Sequence, residues 1–132
     1  MSYEMTFYLA GKYDKRCELL PIAALLMLHG NNVKAEWLNG SHSGTSESEQ
    51  EAYADIDLAN ITECTHFVMF QLPVDAPEVS TGRHVEFGYA LAKKKVVIIV
   101  GGGSSIFHTK AKLFSTVAEF LEVYAPQGRL PR

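Results

Sequence analysis

Short apolar runs alternate with segments of helical periodicity along this chain, and this alternation limits the folds that it can adopt. Three of the runs, at residues 5–10, 66–72 and 96–100, are almost continuously apolar, which is typical of strands covered on both faces. Because parallel strands joined by helices make right-handed crossovers, the pattern predicts an α/β fold. We expect a doubly wound, mostly parallel sheet of about five strands, like those of flavodoxin and Rossmann domains.

Weaker signals predict the remaining elements. A second strand is expected at residues 33–38 and an edge strand at 112–114, and helices are expected after the first strand as far as His29, from Ser46 to about Glu63, at 82–93 and at 116–124. Ser46 and Glu49 form the S-x-x-E pattern of a capping box. Pro21 lies inside the first helical segment and lacks the N–H donor that a helix interior needs, so that helix either begins near Leu20 or kinks at the proline.

The composition argues against several classes of protein. With 132 residues, of which 47% are hydrophobic, the chain suits one domain that spans residues 1–132. A net charge of -3 argues against a general nucleic-acid binder, and no apolar stretch approaches the ~20 residues of a membrane helix. Cys17 and Cys64 are far apart and no secretory signal pattern is visible, so we expect a cytoplasmic protein with two free thiols. The cysteines and histidines lack the spacing of a metal site, and we predict neither a metal nor a cofactor.

Doubly wound sheets bind ligands beside the carboxyl ends of their strands, which makes four loops candidates for a site. They are residues 11–16, 38–49, 71–86 and 101–108. Glu86 is the main candidate, because its neighbours in STGRHVEFGYALA are mostly apolar and leave little room for a solvent-facing surface. A carboxylate among apolar groups is either paired or used in chemistry, and a solvated helix glutamate is the ordinary alternative.

Asp57, Tyr8 and Trp37 are further candidates, each with an ordinary structural alternative. Asp57 shares a helix face with Tyr53, and is either part of a site or a surface carboxylate. Tyr8 lies near the end of the first strand beside Gly11, although most strand tyrosines are core residues with a satisfied hydroxyl. Trp37 lies at the end of the predicted second strand, and it either stacks on a base or fills the core.

Four segments resemble the nucleoside 2-deoxyribosyltransferase superfamily and span nearly the whole chain. They are FYLAG at residues 7–11, DLANITECT at 57–65, STGRHVEFGYALAKKKVVIIV at 80–100 and IFHTKAKLFSTVAEFLEVY at 106–124. The third segment, which resembles the family's G-x-x-x-E-x-G-x-A helix and following strand, is the most specific. EWLNGSHSG at residues 36–44 is similar to a subgroup of small, often phage-borne members.

The resemblance implies cleavage of the N-glycosidic bond of nucleosides or their 5′-monophosphates, with transfer of the sugar to water or another base, as in nucleotide salvage. Glu86 matches the glutamate that attacks the anomeric carbon and forms a glycosyl-enzyme ester. Asp57 matches the aspartate that binds the sugar or helps to protonate the leaving base, and Tyr8 matches the tyrosine that orients the nucleophile. Because a neighbouring subunit lends residues to each site in the family, a homodimer at least is implied. Expected substrate contacts are Gly11, Lys12, Arg16, Trp37, His42, Ser80, Gly82, Arg83, His84 and His108.

Two departures from the family pattern bear on the substrate. Thr65 stands where many members carry a second aspartate, which argues against the family's usual two-aspartate contact with the base. The serine at position 80 resembles that of the family branch that hydrolyses deoxyribonucleoside 5′-monophosphates. Strict transferases tend to carry an acidic residue there. Backbone N–H groups at a helix N-terminus suit a phosphate. Lys12, Arg16 and Arg83 either add positive charge or form an ordinary solvated surface, and we favour a nucleotide slightly over a free nucleoside.

Two alternatives stay open at the level of sequence. The chain is also compatible with a catalytically idle nucleotide-binding module that acts as a sensor or sequesters its ligand. A hydrolase of another N-riboside, such as a NAD-like ligand, is the third reading. The residues leave the base, the sugar and the acceptor open.

Overall fold

A computed structural model describes residues 5–71, 82–103 and 105–126 of the chain. Within these residues the sheet has five strands in the order β2-β1-β3-β4-β5, and every neighbouring pair is parallel. The strands are β1 Thr6–Ala10, β2 Asn32–Val33, β3 His66–Phe70, β4 Val96–Val100 and β5 Lys112–Phe114. The predicted α/β fold with a parallel sheet is confirmed, including the short edge strand β5.

The three central strands carry the core. In β1, β3 and β4 the last four residues are all buried, as expected of strands with helices on both faces. The register places Tyr8 opposite Phe67 and Phe67 opposite Val97. This alignment brings the carboxyl ends of the central strands to one edge of the sheet, where ligands of such folds bind.

Within the described ranges, four α-helices cover the sheet. They are α1 Arg16–Leu28, α2 Glu47–Glu63, α3 Gly82–Ala92 and α4 Val117–Tyr124. Helix α1 contacts α4 and α2 contacts α3, which is the pairing expected of a doubly wound sheet. The predicted capping box is present, because Ser46 Oγ accepts from the backbone N–H of Glu49 and the Glu49 carboxylate accepts from that of Ser46. These bonds fix the start of α2 and therefore which of its residues face the sheet.

The first helix differs from one of its two expected forms. Helix α1 begins at Arg16 and continues through Pro21, so a start near Leu20 is wrong. A proline at this position removes the hydrogen bond to the carbonyl of Cys17, four residues earlier. Both Pro21 and Cys17 are exposed, so water can solvate that carbonyl and the helix tolerates the proline.

The second strand is much shorter than predicted. It pairs with β1 only over Asn32–Val33, and the chain then forms a 3₁₀ helix at Glu36–Asn39. Trp37 gives the physical reason, because its indole N–H donates to the carbonyl of Leu9 over 2.8 Å and its side chain is buried. Burial of a large ring with its N–H satisfied favours this path over a continued ladder at the sheet edge.

Three chemical features of the described ranges complete the fold. No helix there is long and apolar enough to cross a membrane. No group of three histidine, cysteine, aspartate or glutamate side chains in those ranges is suitably placed to hold a metal ion. Cys17 and Cys64 are free thiols, and burial raises the pKa of Cys64 to about 11, so that this thiol stays protonated near neutral pH.

Candidate active site

Tyr8 and Glu86 meet near the carboxyl edge of the sheet. Tyr8 lies in β1 and Glu86 in the second turn of α3, and the Tyr8 hydroxyl donates a 2.7 Å hydrogen bond to Glu86 Oε2. The Tyr8 ring is wholly buried and stacks on Phe67, with ring centroids 5.7 Å apart and planes 7° apart. The pairing of β1 with β3 therefore fixes the position of one oxygen of Glu86.

Asp57 of α2 approaches Glu86 closely enough for the two carboxyl groups to share a hydrogen bond. Burial is the main cause that raises the pKa of Glu86 to about 7. The hydrogen bond from Tyr8 lowers this pKa, whereas the charge of Asp57 and the hydrogen bond with Asp57 raise it further. Burial also raises the pKa of Asp57, while the His42 contact lowers it. Two neighbouring carboxyl groups do not ionise independently, so the pair retains a shared proton until the pH approaches neutrality.

His42 extends this arrangement on the side of α2. Its Nε2 lies 2.9 Å from Asp57 Oδ1, and its ring stacks on Tyr53 with centroids 4.4 Å apart. The structure therefore brings four sequence-predicted residues into one connected row, from Tyr8 through Glu86 and Asp57 to His42. Such a row places two carboxyl groups side by side, and glycoside cleavage uses a pair of carboxyl groups.

A cavity of about 260 Å³ opens in front of these side chains. Its described lining consists of Tyr8, Gly11, Tyr13, Trp37, His42, Asp57, Gly82, Arg83 and Glu86. Of these, only Tyr13 is missing from the residues predicted from sequence. Trp37 presents apolar surface alone, because its N–H is already bound to Leu9. The volume is close to the lower end of those that hold small-molecule ligands.

Two polar atoms of the described cavity lining are buried without a hydrogen-bond partner among the described residues. They are the hydroxyl oxygen of Tyr13 and Nε of Arg83. Leaving a buried polar group unpaired costs about 1–3 kcal/mol, which a ligand with matching groups recovers. The Arg16 guanidinium lies 4.6 Å from the centre of the Tyr13 ring and supports it from outside the cavity. The sequence signal for Tyr13 was its position in the 11–16 loop, two residues after Gly11.

Other predicted contacts lie outside the described lining. Lys12 Nζ is 3.9 Å from Asp14 Oδ1, and Arg16 donates to the carbonyl of Tyr13 over 3.3 Å. The rings of His84 and His108 stack on each other with centroids 6.1 Å apart. Ser80 lies outside the described residues.

Thr65 also lies away from the cavity. Its hydroxyl donates to the carbonyl of Thr6 over 3.1 Å and accepts from the Thr6 N–H over 2.9 Å. These bonds join the amino-terminal ends of β1 and β3, at the sheet edge opposite the cavity. The strand direction therefore keeps Thr65 out of contact with a ligand in the cavity.

Solved structures with this architecture include three similar enzymes. A CMP N-glycosidase of Clostridium botulinum is 21% identical, with a TM-score of 0.59, and the match covers 89% of this chain and 96% of that one. A 2-deoxyribosyltransferase of Bacillus psychrosaccharolyticus is 16% identical, with a TM-score of 0.64 over 83% of this chain and 85% of that one. This chain has the 2-deoxyribosyltransferase fold. The corresponding enzyme of Leishmania mexicana is 18% identical, with a TM-score of 0.58 over 80% and 69% of the two chains.

The comparisons at the level of sequence give no match. No protein-family model matches the chain, and neither does any curated protein. The resemblance of the four sequence segments and the comparison of structures both indicate the 2-deoxyribosyltransferase fold, although the sequence identity is only 16–21%.

The buried carboxyl of Glu86 predicts a pH dependence of stability. Its pKa rises from 4.5 to about 7 on folding, so between these pH values the folded state binds more protons than the unfolded state. The free energy of unfolding should therefore fall as the pH rises through this window, by about 2–3 kcal/mol. Glu86→Gln removes this loss, so the variant should be more stable than the wild type above pH ~7 and similar near pH ~4.5.

Urea unfolding across this pH range measures the difference. Exchange of the exposed Glu122 for glutamine is the matched control, and it should leave the pH profile of the wild type unchanged. Parallel profiles for the wild type and Glu86→Gln would contradict a buried carboxyl at this position.

Proposed function

We propose that this protein cleaves the N-glycosidic bond of nucleosides or their 5′-monophosphates and passes the sugar to water or to another base. The main support for the proposal is the position of the Glu86 carboxyl group in the wall of a small cavity, next to a second carboxyl group. The Tyr8 hydroxyl fixes Glu86 Oε2 there through a 2.7 Å hydrogen bond. The similar fold of a CMP N-glycosidase and of two 2-deoxyribosyltransferases supports this chemistry.

Glu86 is the proposed nucleophile. The Tyr8 hydrogen bond occupies Oε2 and leaves Oε1 to attack the anomeric carbon as the bond to the base breaks. The electron pair of that bond leaves with the base, and a nearby carboxylate stabilises the oxocarbenium-like transition state before forming the ester. Water or a second base then attacks the same carbon, and the ester bond breaks to regenerate Glu86.

Asp57 is the proposed acid. The reaction requires the proton that the two carboxyl groups share to be on Asp57, because Glu86 must be ionised to attack and the departing base must be protonated. Proton transfer from Asp57 to the base leaves Asp57 as a carboxylate. That carboxylate then accepts a proton from the attacking water or acceptor base in the second step, which completes the cycle.

The cavity favours a substrate with an anionic or strongly polar group. Arg83 supplies a positive charge and a buried Nε–H that, like the Tyr13 hydroxyl, has no partner within the described ranges. Gly82 begins α3, and the N–H groups at a helix N-terminus favour an anion. These groups support a 5′-monophosphate over a free nucleoside.

A homodimer in the cytoplasm is part of the same proposal. The family resemblance implies that a second subunit contributes to each site. Val85, Ile106 and Phe107 are each more than half exposed and would be covered by such a partner.

One assay tests the proposed function. The protein is incubated with each nucleoside and each 5′-monophosphate, with and without a free acceptor base, and the products are separated. Free base in the absence of acceptor indicates a hydrolase, and a new nucleoside in its presence indicates a transferase. Nucleotide binding without base release from any substrate would instead identify an idle binding module and overturn the proposal.

Tyr8→Phe should lower base release by about 10- to 100-fold, because a hydrogen bond to a charged group is lost where water is excluded. Tyr8 also lowers the pKa of Glu86, so its removal should shift the acid limb of the pH–rate profile to higher pH. A pH–rate profile of kcat/KM measures both effects. Tyr89→Phe is a control, because the Tyr89 hydroxyl bonds Thr62 away from the cavity. An unchanged acid limb in Tyr8→Phe would contradict the assignment.

A further inference from the structure

His42 is held against α2 by two contacts one helical turn apart. Tyr53 and Asp57 are four residues apart on α2 and therefore lie on the same face of the helix. The His42 ring stacks on Tyr53 with an interplanar angle of 10°, and its Nε2 reaches Asp57 Oδ1. The Tyr53 hydroxyl in turn accepts from the backbone N–H of Gly44 over 2.8 Å, which fastens the loop that carries His42.

Each of the two ring nitrogens of His42 has one hydrogen-bond partner, and these partners determine which nitrogen carries the proton. Ser41 Oγ lies 3.0 Å from Nδ1 and Asp57 Oδ1 lies 2.9 Å from Nε2. An ionised carboxylate only accepts, so Nε2 carries the proton, and in the neutral ring Nδ1 accepts from the Ser41 hydroxyl. The exposed fractions of the His42 and Asp57 side chains are 8% and 18%, so this bond forms largely out of contact with water.

We propose that His42 is a positioning residue that makes Asp57 an effective acid for the leaving base, an inference that rests on the proposed function. In the cleavage step the proton of Asp57 moves to a nitrogen of the base, and the electron pair of the glycosidic bond goes to the base. Asp57 becomes a carboxylate, and the Nε2–H of His42 stabilises the charge that develops on Oδ1. His42 keeps its own proton throughout.

The surroundings of Asp57 explain the need for such a donor. The hydrogen bond with Glu86 lowers the pKa of Asp57, whereas the charge of Glu36 raises it. Burial acts in the same direction, and His42 is the main influence that opposes it. Without the His42 N–H, Asp57 would hold its proton more tightly while the base departs.

Three substitutions separate the hydrogen bond from packing. His42→Phe keeps a ring that can stack on Tyr53 but has no N–H, His42→Gln keeps an N–H near the position of Nε2, and His42→Ala loses both. Each is assayed on a nucleoside or nucleotide that the wild type cleaves, and on a deoxyriboside whose 4-nitrophenolate group leaves without a proton. For the natural base, His42→Phe and His42→Ala should be about 10- to 100-fold slower than the wild type, and His42→Gln should recover most of the loss.

The leaving group decides between positioning and a merely structural role. For the 4-nitrophenyl substrate, the rate of His42→Phe should stay within about threefold of the wild type, because little acid catalysis is needed. Equal losses on both substrates, or no loss on the natural base, would overturn the proposal. If the wild type releases base and the His42 variants give either of these results, only the proposed role of His42 is wrong. If the wild type releases no base from any substrate, both the proposed function and the role of His42 are wrong.

A second measurement does not depend on activity. Nitrogen-15 chemical shifts of the His42 ring, at a pH where Asp57 is ionised, should report a single tautomer with the proton on Nε2. Asp57→Ala should abolish that preference. A ring protonated only on Nδ1 in the wild type would overturn the proposal whatever the rates.

Discussion

Glu86→Gln is expected to reduce base release by at least about 10³-fold while the fold is retained, because the amide does not form a glycosyl ester. Glutamine has nearly the size of glutamate, and its side-chain oxygen can still accept from the Tyr8 hydroxyl that now meets Glu86 at 2.7 Å. The change therefore removes the nucleophile and leaves the packing of α3 on the sheet intact. Separation of base from nucleotide on a column, over hours of incubation, measures the loss.

Two further variants sharpen this result. Glu86→Ala opens space beside Tyr8, and added azide should restore turnover by attacking the sugar in place of the carboxylate, giving a glycosyl azide. Exchange of the exposed Glu122 for glutamine should leave the rate unchanged. Full activity in Glu86→Gln would contradict the assignment of the nucleophile.

Gly101→Ala is expected to lower the free energy of unfolding by about 4 kcal/mol, through strain at the end of β4. Gly101 has φ of +113°, a conformation that side chains rarely adopt, and an added Cβ would collide with the backbone carbonyl of Gln71. Neither group can move freely, because the Gln71 N–H is bound to Val100 O and the Gly101 N–H to Phe114 O, each over 2.8 Å.

Gly102→Ala is the matched control for that substitution. A Cβ at Gly102 meets no atom of the described residues within 4 Å, and Gly102 is exposed, so the unfolding free energy of this variant should differ from that of the wild type by less than about 0.5 kcal/mol. Urea unfolding of both variants at one pH makes the comparison. Equal stability of the two variants would contradict the close approach of β3 and β4 at their carboxyl ends.

Much of the fold could be predicted from local pattern. The apolar run Val96–Val100 became a buried central strand, and the S-x-x-E pattern at Ser46 became a complete capping box. The strand predicted at 33–38 was wrong beyond Val33, because β-strand propensity does not account for a tertiary contact. The bond from Trp37 to Leu9 O, 28 residues away along the chain, draws the segment out of the sheet.

Most residues of the described cavity lining could be named from the sequence, but their connections could not. The apolar neighbours of Glu86 indicated a buried carboxyl, and its pKa of about 7 reflects that burial. Nothing in the sequence linked His42 to Asp57, because the contact depends on how the loop before α2 folds back onto that helix. Tyr13 was missed for the same reason, since its place in the cavity depends on the 3₁₀ helix Tyr13–Lys15 that precedes α1.

Trapping of the glycosyl-enzyme tests the role of Glu86 as the nucleophile. The wild type is mixed with a nucleotide that it cleaves, quenched in acid within the first turnovers, digested and analysed by mass spectrometry. This role predicts the mass of one sugar, with its phosphate where the substrate carries one, on the peptide that contains Glu86, and no such adduct in Glu86→Gln. Base release with an adduct on another residue, or with no adduct at any quench time, would contradict it.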